Sequence, residues 1–598
     1  MGHVKPALVV SFSVVGDAVA TAICEELNAE IWLKSSDDNR SGKALVQSAF
    51  CAGRDVVGVC AAGIIIRMIA PVLGNKQDEP AVVAISPEGK QIVPLVGGHH
   101  GANNLARDLA KLLEGNAAIT TASDNALGLS LDEVPNGYAL ANPVQAKSAM
   151  AQLLAGEKIK LHGDALWISR SGLVTENGTV DVIISEQAQV VANALHIVAK
   201  TLVVGVGCER YCPSEHVIEL VKDTLAQQRL SPLAIAAIAS IDLKSDEGAL
   251  HAVAKHFDVP LRTFSAEQLA QEADRVPNPS KVVFAEVGTP SVAEAAAIKA
   301  GSLLAEKHKT AKATCAIGIA DKPIETEKFG MPIGALYLVG LGPGTNQLRT
   351  PVADLALRST TDWVGYGLYL DLAADARTNQ TEHRFDLGEE EKRVRHALEL
   401  AGEGKEVSLI CSGDANIFAM GALIYELLAA TGDRAISEEA KRVQIETCPG
   451  ISAFQAAAAK SGALIGHDFC CISLSDLLTP REDILKRLDA AASGDFVTAF
   501  YNPRSMRRTD LIEIAKEKFL TVRPANTPVV IASNLGRPAE KVKVVELADF
   551  NPEEIDMLTI VMFGSSQSKS FKRGSGETVA YTPRGYAKKA AQSSKEPE

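Results

Sequence analysis

Strand-length apolar runs recur along nearly the whole chain, and each ends in a glycine-rich or polar turn, often followed by an alanine-rich helical pattern. ALVVSF, DVVGVCAAGIIIRMIA, AVVAIS and QIVPLVGG do so in the first third, and TLVVGVG, IAAIASID, KVVFAEVG and ATCAIGIA continue the series. LYLVG, VSLIC, VQIETC, FVTAFY and LTIVMFG repeat it towards the end. The order strand, turn, helix predicts parallel α/β layers. A chain of 598 residues is too long for one hydrophobic core, and about 150 residues per domain gives roughly four units.

The pattern divides the chain into an N-terminal module over 1–135 and a weaker middle region over 136–200, with short strands such as LWIS and VDVIIS. A third unit, 201–320, opens on TLVVGVGCERYCPSEHVIELVKDTLAQQ, where a strand runs into glycines and then into a helix capped near Ser214 with Glu215 in its first turn. The polar, proline-interrupted stretch 321–334 has a linker composition. The last domain covers 335–587, with lobes of about 335–443 and 444–587, and the polar tail 588–598 reads as disordered.

Composition narrows the function classes. A formal charge of −13 with no long basic stripe argues against a nucleic-acid partner. The ten cysteines are scattered, and Cys60, Cys411, Cys470 and Cys471 sit in apolar runs, as buried reduced thiols do. Cys208 with Cys212 comes nearest to a ligand pair, but no second pair or histidine follows at zinc spacing, so no metal site is expected. The N-terminus lacks a basic region followed by a continuous apolar core, and no run approaches the roughly 18 apolar residues of a membrane span. These features predict a cytoplasmic enzyme acting on a small molecule, with no membrane partner.

LYLVGLGPGTNQLRT, from Leu336, carries Gly340, Gly342 and Gly344 behind an apolar run. It is not a dinucleotide fingerprint, because Thr345 stands where the third glycine is required and Pro343 removes an N–H donor. No lysine follows, so it is not a P-loop either. A tight turn that lets chain pass close to chain is the plain alternative. Four partner signatures bear on the choice: SGDANIF, PGISAF, NPRS and SSQSKS each follow one of the other apolar strands. Ligands of open α/β sheets bind outside the carboxyl ends of strands, so the five turns are expected to converge on one cleft.

Taken together, GLGPG, CSGDANIFAMGALIYE, CPGISAFQAAAAKSGALIGHDFCCISLSDLLTP, AFYNPRS and TPRGY resemble the tetrapyrrole methyltransferase family. VGYGLYLDL and ISLSDLLTP are similar to the precorrin-3B C(17)-methyltransferases within it. The resemblance implies two α/β lobes with S-adenosylmethionine between them, usually in a homodimer, and a precorrin substrate methylated at C-17 with ring contraction. It places Gly342, Pro343 and Gly344 at the cleft and Ser412, Gly413, Asp414, Ile417, Ser452, Ala453, Tyr501 and Asn502 around the cofactor. Where the family often has GPGD this chain has GPGT, which removes any carboxylate role at Thr345.

Ring contraction implies proton transfers, for which Asp476, His467, Asp468 and Tyr366 are candidates by residue type. His467 with Asp468 as a turn cap, and Tyr366 as a packed aromatic, are the structural alternatives. Arg504, Arg507 and Arg508 can pair with the acetate and propionate carboxylates of a corrinoid precursor, or can form a solvated basic face.

In the first half, PLVGGHHGANNLARDLA sets Gly97, Gly98 and Gly101 around His99 and His100, and Asn103 or Asn104 can cap the following helix. The two histidines are of the type that serves as acid, base or metal ligand. AAGIIIRMIAPVL, GGHHGAN, TASD, VVGVGCER and GTPSVAEAAAI together resemble the cobalt-precorrin-5A hydrolases, which open a macrocycle lactone and release acetaldehyde. GVGCERYCPSEHV departs from that family's more basic form. Arg67, His99, His100, Asn103 and Glu209 are the positions to test. The fold expected is multidomain α/β, with hydrolase-like modules followed by a two-lobed methyltransferase domain. The function expected is bifunctional corrin biosynthesis; an active methyltransferase fused to a non-catalytic corrinoid-binding module is the alternative. Methylation of a different substrate, such as a protein, is a third reading.

Overall fold

Most of the strand runs pair as parallel ladders. The computed structural model describes residues 7–27, 29–36, 40–74, 79–98, 101–119, 127, 129–189, 191–377, 380–505 and 508–586. His99, His100, Arg507 and the tail 588–598 lie outside the described residues. The first sheet has the order Glu30–Leu33, Leu8–Ser11, Val56–Val59, Val82–Ile85, Gln91–Val96, Asn116–Ala117. Its first four strands are parallel, and Gln91–Val96 turns back antiparallel on Val82–Ile85. Leu8–Ser11, Val56–Val59 and Val82–Ile85 are buried at every position, because helices cover both faces and leave no polar side to alternate with.

Tyr138–Leu140, Leu195–Ala199, Val180–Ile184 and Ile159–His162 form a four-stranded sheet in the middle region. LWIS, read above as a strand, is a single helical turn, Leu166–Ser169; four apolar residues do not distinguish the two periods. The third sheet orders Ser302–Lys309, Ala313–Ile319, Leu202–Cys208, Ile235–Ile241, Leu261–Phe264 and Met331–Pro332. KVVFAEV is not one of its strands. It is the helix Lys281–Val287, whose Ser280 Oγ accepts the Val283 N–H at 3.4 Å and which stops at Gly288, φ 75°. The stretch 321–334 is held on this sheet through Met331–Pro332, antiparallel to Leu261–Phe264.

The helix Ser214–Gln227 starts where expected, with Pro213 at the cap position and Glu215 in its first turn. One expectation about a helix start is corrected. Ala102–Leu112 is capped by Gly101 at φ 88°, so Asn103 and Asn104 lie inside its first turn.

The C-terminal domain has two main sheets. The first is wholly parallel, ordered Thr381–Phe385, Asp362–Tyr366, Glu406–Cys411, Ala335–Gly340, Gln444–Cys448. Gln444–Cys448 belongs to this sheet, so the first lobe runs beyond the boundary expected at 443. The second is mixed, ordered Phe469–Ser473, Val497–Tyr501, Thr559–Phe563, Pro528–Ser533, Lys541–Glu546. A three-stranded sheet of Gly462–Ala463, Thr578–Tyr581 and Lys569–Lys572 accompanies it.

The halves meet at the amino-terminal end of the first of these sheets. Glu30, from the first module, takes Arg40 at 2.7 Å, Arg54 at 2.8 Å and Arg358 of the C-terminal domain at 3.2 Å. Arg358 also pairs with Asp354 at 2.9 Å, and Gln444 Nε2 donates to His251 Nδ1 at 2.8 Å. No helix among the described residues is long and apolar enough to cross a membrane.

Candidate active-site cleft

Three glycine turns at the carboxyl ends of adjacent parallel strands close on one another. Gly413 N–H donates to the Gly342 carbonyl at 2.8 Å, and Gly342 N–H returns a bond to the Gly413 carbonyl at 3.1 Å. Gly342 and Gly413 adopt φ of 76° and 69°, which favour glycine. Asp414 binds the third turn: its Oδ2 accepts the Gly450 N–H at 3.1 Å, while Oδ1 accepts the Asn416 N–H at 2.9 Å. Close approach of the turns is what Gly340 and Gly450 permit, since a Cβ on either would stand 2.7 or 2.0 Å from the Gly413 carbonyl oxygen. Gly344 serves the lobe contact, since a Cβ there would stand 2.7 Å from Arg537 Cγ.

Thr345 caps the short helix Asn346–Leu348, its Oγ1 accepting the Gln347 N–H at 3.0 Å. Aspartate caps at least as well as threonine. A Thr345→Asp chain is expected to keep its unfolding midpoint within about 2 °C, a shift that corresponds to less than about 1 kcal/mol, measured by calorimetry.

Between the lobes lies a cavity of about 550 Å³. Pro343, Ser412, Gly413, Asp414, Ile417, Ser452, Ala453, Tyr501 and Asn502 line it, and Gly342 and Gly344 do not. Four of the five expected strand ends reach it. The fifth does not: Thr559–Phe563 runs antiparallel to Val497–Tyr501, so its start, with Met557 and Leu558, faces the cavity and its SSQSKS end points away. Pro528–Ser533 takes that place, contributing Asn534, Leu535 and Arg537. The sequence signal for it, IASNLGRP after a β-branched run, has the same strand-then-turn form as the others.

The second-lobe wall is held by hydroxyl contacts and uncommon backbone. Tyr501 and Ser452 hydrogen-bond through their hydroxyls, and the Tyr501 oxygen also accepts the Phe454 N–H at 3.4 Å. Burial pushes the Tyr501 phenol up to about 12 and the Cys411 thiol up to about 12, so both are neutral donors at physiological pH. Asn502 Nδ2 donates to Ser473 Oγ at 3.1 Å. Phe418, Asn502 and Asn534 all have positive φ, 52°, 49° and 50°, and Phe418 packs on Tyr501 with ring centres 5.0 Å apart. Left-handed backbone at a bulky phenylalanine is uncommon and gathers at ligand sites. Two arginines line the cavity with buried Nε atoms that have no hydrogen-bond partner, Arg393 and Arg537.

The remaining candidates separate by position. Tyr366 lies beside the cleft, ring to ring with the cavity-lining Tyr369 at 5.3 Å. His467 and Asp468 do not reach it. They pair at 3.1 Å, exposed, ahead of the amino end of Phe469–Ser473, whereas the cleft lies at the carboxyl end. Arg504 and Arg508 turn inward: Arg504 donates to the Pro552 carbonyl at 2.6 Å, and Arg508 to the Asn502 carbonyl at 2.9 Å and to Asp476 at 3.2 Å. They brace the loop instead of forming a solvated face.

In the N-terminal half, Arg67 is exposed and donates to its own helix at the Gly63 carbonyl, 2.8 Å away. Asn103 is buried, and the Glu209 side chain is exposed. Burial pushes the Cys208 thiol up to about 12 and raises Cys212 as well, which keeps both protonated. Tyr211, between them, is 94% exposed at φ 60°, with its N–H on the buried Glu247 carboxylate at 3.1 Å.

Residues 335–551 match the tetrapyrrole (corrin/porphyrin) methylases, residues 44–124 the cobalamin synthesis G N-terminal segment and residues 202–318 the cobalamin synthesis G C-terminus. The precorrin-3B C(17)-methyltransferase of a Sinorhizobium species is 39% identical over 254 residues, which are 98% of that protein and 42% of this chain. The chain belongs to the tetrapyrrole methylase family. Its methylase domain follows both cobalamin synthesis G segments on one polypeptide. The cobalamin biosynthesis protein CobIJ of Mycobacterium bovis is 40% identical to the methylase domain over 257 residues, 42% of this chain and 48% of that protein. The chain thus spans about half the length of that relative. The crystal structure of the methyltransferase CobJ is 40% identical, is covered over 100% of its length by 42% of this chain, and superposes with a TM-score of 0.38.

Proposed function

We propose that the chain is a bifunctional cobalamin-biosynthesis enzyme. Its methylase domain methylates C-17 of a precorrin-3-type tetrapyrrole with S-adenosylmethionine and drives ring contraction; its first half hydrolyses the lactone of a precorrin-5A-type product and releases acetaldehyde. The observation that carries the methylase part is the cleft between the two lobes, lined by loops of the family-matched region. Relatives that match the methylase domain at 36–40% identity are named for both precorrin-3B and cobalt-factor III, so cobalt-free and cobalt-containing substrates both belong in the assay.

The residues present fit the cofactor. A cavity of about 550 Å³ is in the usual range for such a ligand. Its backbone turns and the neutral Ser452–Tyr501 pair can hold adenosine, and Arg537, which lines the cavity, is of the type that pairs with a carboxylate. Bound S-adenosylmethionine supplies an electrophilic methyl group. The chain's work is then alignment and shielding: the interlocked glycine turns fix one wall, and the apolar side chains at the mouth exclude water. Tyr501 keeps its proton and remains a donor throughout the physiological range.

Calorimetry of the whole chain is expected to show one S-adenosylmethionine site per polypeptide; folded protein that binds none overturns the methylase reading. Turnover of precorrin-3-type substrates with and without cobalt, followed by mass spectrometry, identifies the substrate. Sedimentation tests the homodimer. The strained, exposed Tyr211 turn, which departs from the hydrolase pattern, favours a second reading in which the first half binds corrinoid without hydrolysing it. Acetaldehyde released from the lactone substrate by the whole chain rules that version out.

A further inference from the structure

Large apolar side chains are left in solvent around the mouth of the cleft. Leu478 is 98% and Leu477 86% exposed, in the SDLLTP turn after Phe469–Ser473. Leu387 and Phe418 from the first lobe, and Met557 and Leu558 from the second, stand half-exposed or more around the same cavity, which Leu478 also lines. Single exposed leucines are ordinary; a contiguous apolar rim on both sides of one opening marks a binding surface.

The turn that carries the leucines is clamped at its base. Leu474 is fully buried and its N–H donates to the Tyr501 carbonyl at 2.9 Å; the Ser475 N–H donates to Ser473 Oγ at 3.3 Å. Asp476 is tied to Arg508, whose other arm holds the Asn502 carbonyl. The two leucines therefore project from a fixed support. Arg508 is committed to Asp476 and the Asn502 carbonyl, and Arg504 donates to the Pro552 carbonyl.

We propose that Leu477 and Leu478 form a ledge for the flat apolar face of the tetrapyrrole macrocycle, holding it so that C-17 enters the cleft between the lobes. The proposal rests on the methylase reading above. The occupant follows from the site: the ledge is continuous with the cavity through Leu478, so a broad ligand with a flat apolar face, seated in the cleft, covers both lobes' rims at once. The leucines are positioning residues that act on substrate affinity.

The test uses the full chain with both leucines changed, Leu477→Ser with Leu478→Ser. The expected result is a KM for the precorrin-3-type substrate raised about tenfold or more, from the lost apolar contact. At saturation kcat should change by no more than about threefold, with S-adenosylmethionine affinity, unfolding midpoint and mass in sedimentation unchanged. Leu477→Ile with Leu478→Met should keep the wild-type KM. An unchanged KM in the serine chain overturns the ledge, as does an equal loss of cofactor affinity. A serine chain that falls from dimer to monomer, with KM following protein concentration, assigns the leucines to a second copy and also overturns it. If the unaltered chain neither binds S-adenosylmethionine nor turns over tetrapyrrole, the methylase reading itself has failed, which is a separable result.

Discussion

A Gly450→Ala chain is expected to stay folded and to lose methyl transfer by about a hundredfold, because misplacement of a bound reactant by about 1 Å has that effect. A Cβ at Gly450 would stand 2.0 Å from the Gly413 carbonyl oxygen and 2.8 Å from the Gly340 carbonyl. No rotamer relieves a clash between a Cβ and backbone, so one of the turns has to move. Movement of the Gly413 turn breaks the reciprocal Gly342–Gly413 bonds, and movement of the Gly450 turn breaks its bond to Asp414. Either shift displaces Ser412 to Asp414 or Ser452, which line the cavity. Overpacking of this kind costs about 1–3 kcal/mol, which a domain of this size survives. Gly248→Ala is the control: nothing lies within 4 Å of its added Cβ, and activity and S-adenosylmethionine affinity should match the unaltered chain. An active Gly450→Ala enzyme with normal cofactor affinity contradicts the geometry.

The second large effect concerns the join between the halves. Glu30→Ala removes a carboxylate shared by Arg40, Arg54 and Arg358 in a largely buried site, where Arg358 keeps Asp354. Removing one partner of a buried ion pair costs about 3–5 kcal/mol, so calorimetry should show a clear fall in the unfolding temperature of the N-terminal module. Acid should imitate part of this effect. Burial by itself would raise the Glu30 carboxyl, but Arg358, Arg54 and Arg40 outweigh it and hold the group below its ordinary value; Asp354 is held low in the same way, chiefly by Arg358. The unfolded chain therefore binds more protons than the folded one in that range. The stabilisation is fully present above the ordinary carboxylate pKa of about 4 and is lost as pH falls through the lower folded value. In Glu30→Ala the share due to Glu30 is absent, so its melting temperature should depend less on pH below about 4 than that of the unaltered chain. Equal acid sensitivity in the two chains would falsify the role given to Glu30.

The parts of the fold legible in the sequence were those in which one local signal has one structural meaning. An apolar run ending in Gly-Pro-Gly or Ser-Gly-Asp reads as the carboxyl end of a buried parallel strand, and Ala335–Gly340 and Glu406–Cys411 are such strands. The SSQSKS turn carries the same signal but misleads, because strand direction is set by distant pairing and Thr559–Phe563 runs the other way. Four-residue LWIS and seven-residue KVVFAEV are too short for periodicity to separate helix from strand, and both are helical. His467 and Asp468 suit acid–base chemistry by type, yet lie at the wrong end of their strand. Arg504 and Arg508 suit a carboxylate partner, yet a carbonyl of their own chain lies nearer. Arg537 stands in the IASNLGRP turn, which has the same strand-then-turn form as the others; its place at the cavity comes from the packing of its loop on Gly344 across the lobes.

The position of the junction constrains how the two halves exchange material. Gln444 and Ala335 begin their strands at the end of the sheet where His251 and the Arg358–Glu30 pair join the halves, and the cavity opens at the other end. A six-residue strand spans roughly 20 Å, and the sheet between the two ends is closely packed. On the proposed function, a tetrapyrrole in the cleft is held at the end of the sheet opposite the junction with the first half, so the structure offers no direct path between the two. Traffic of that kind is open to theft: a corrinoid-binding protein added in excess should intercept the methylated intermediate, and physical linkage helps only by keeping the second module a short diffusion away.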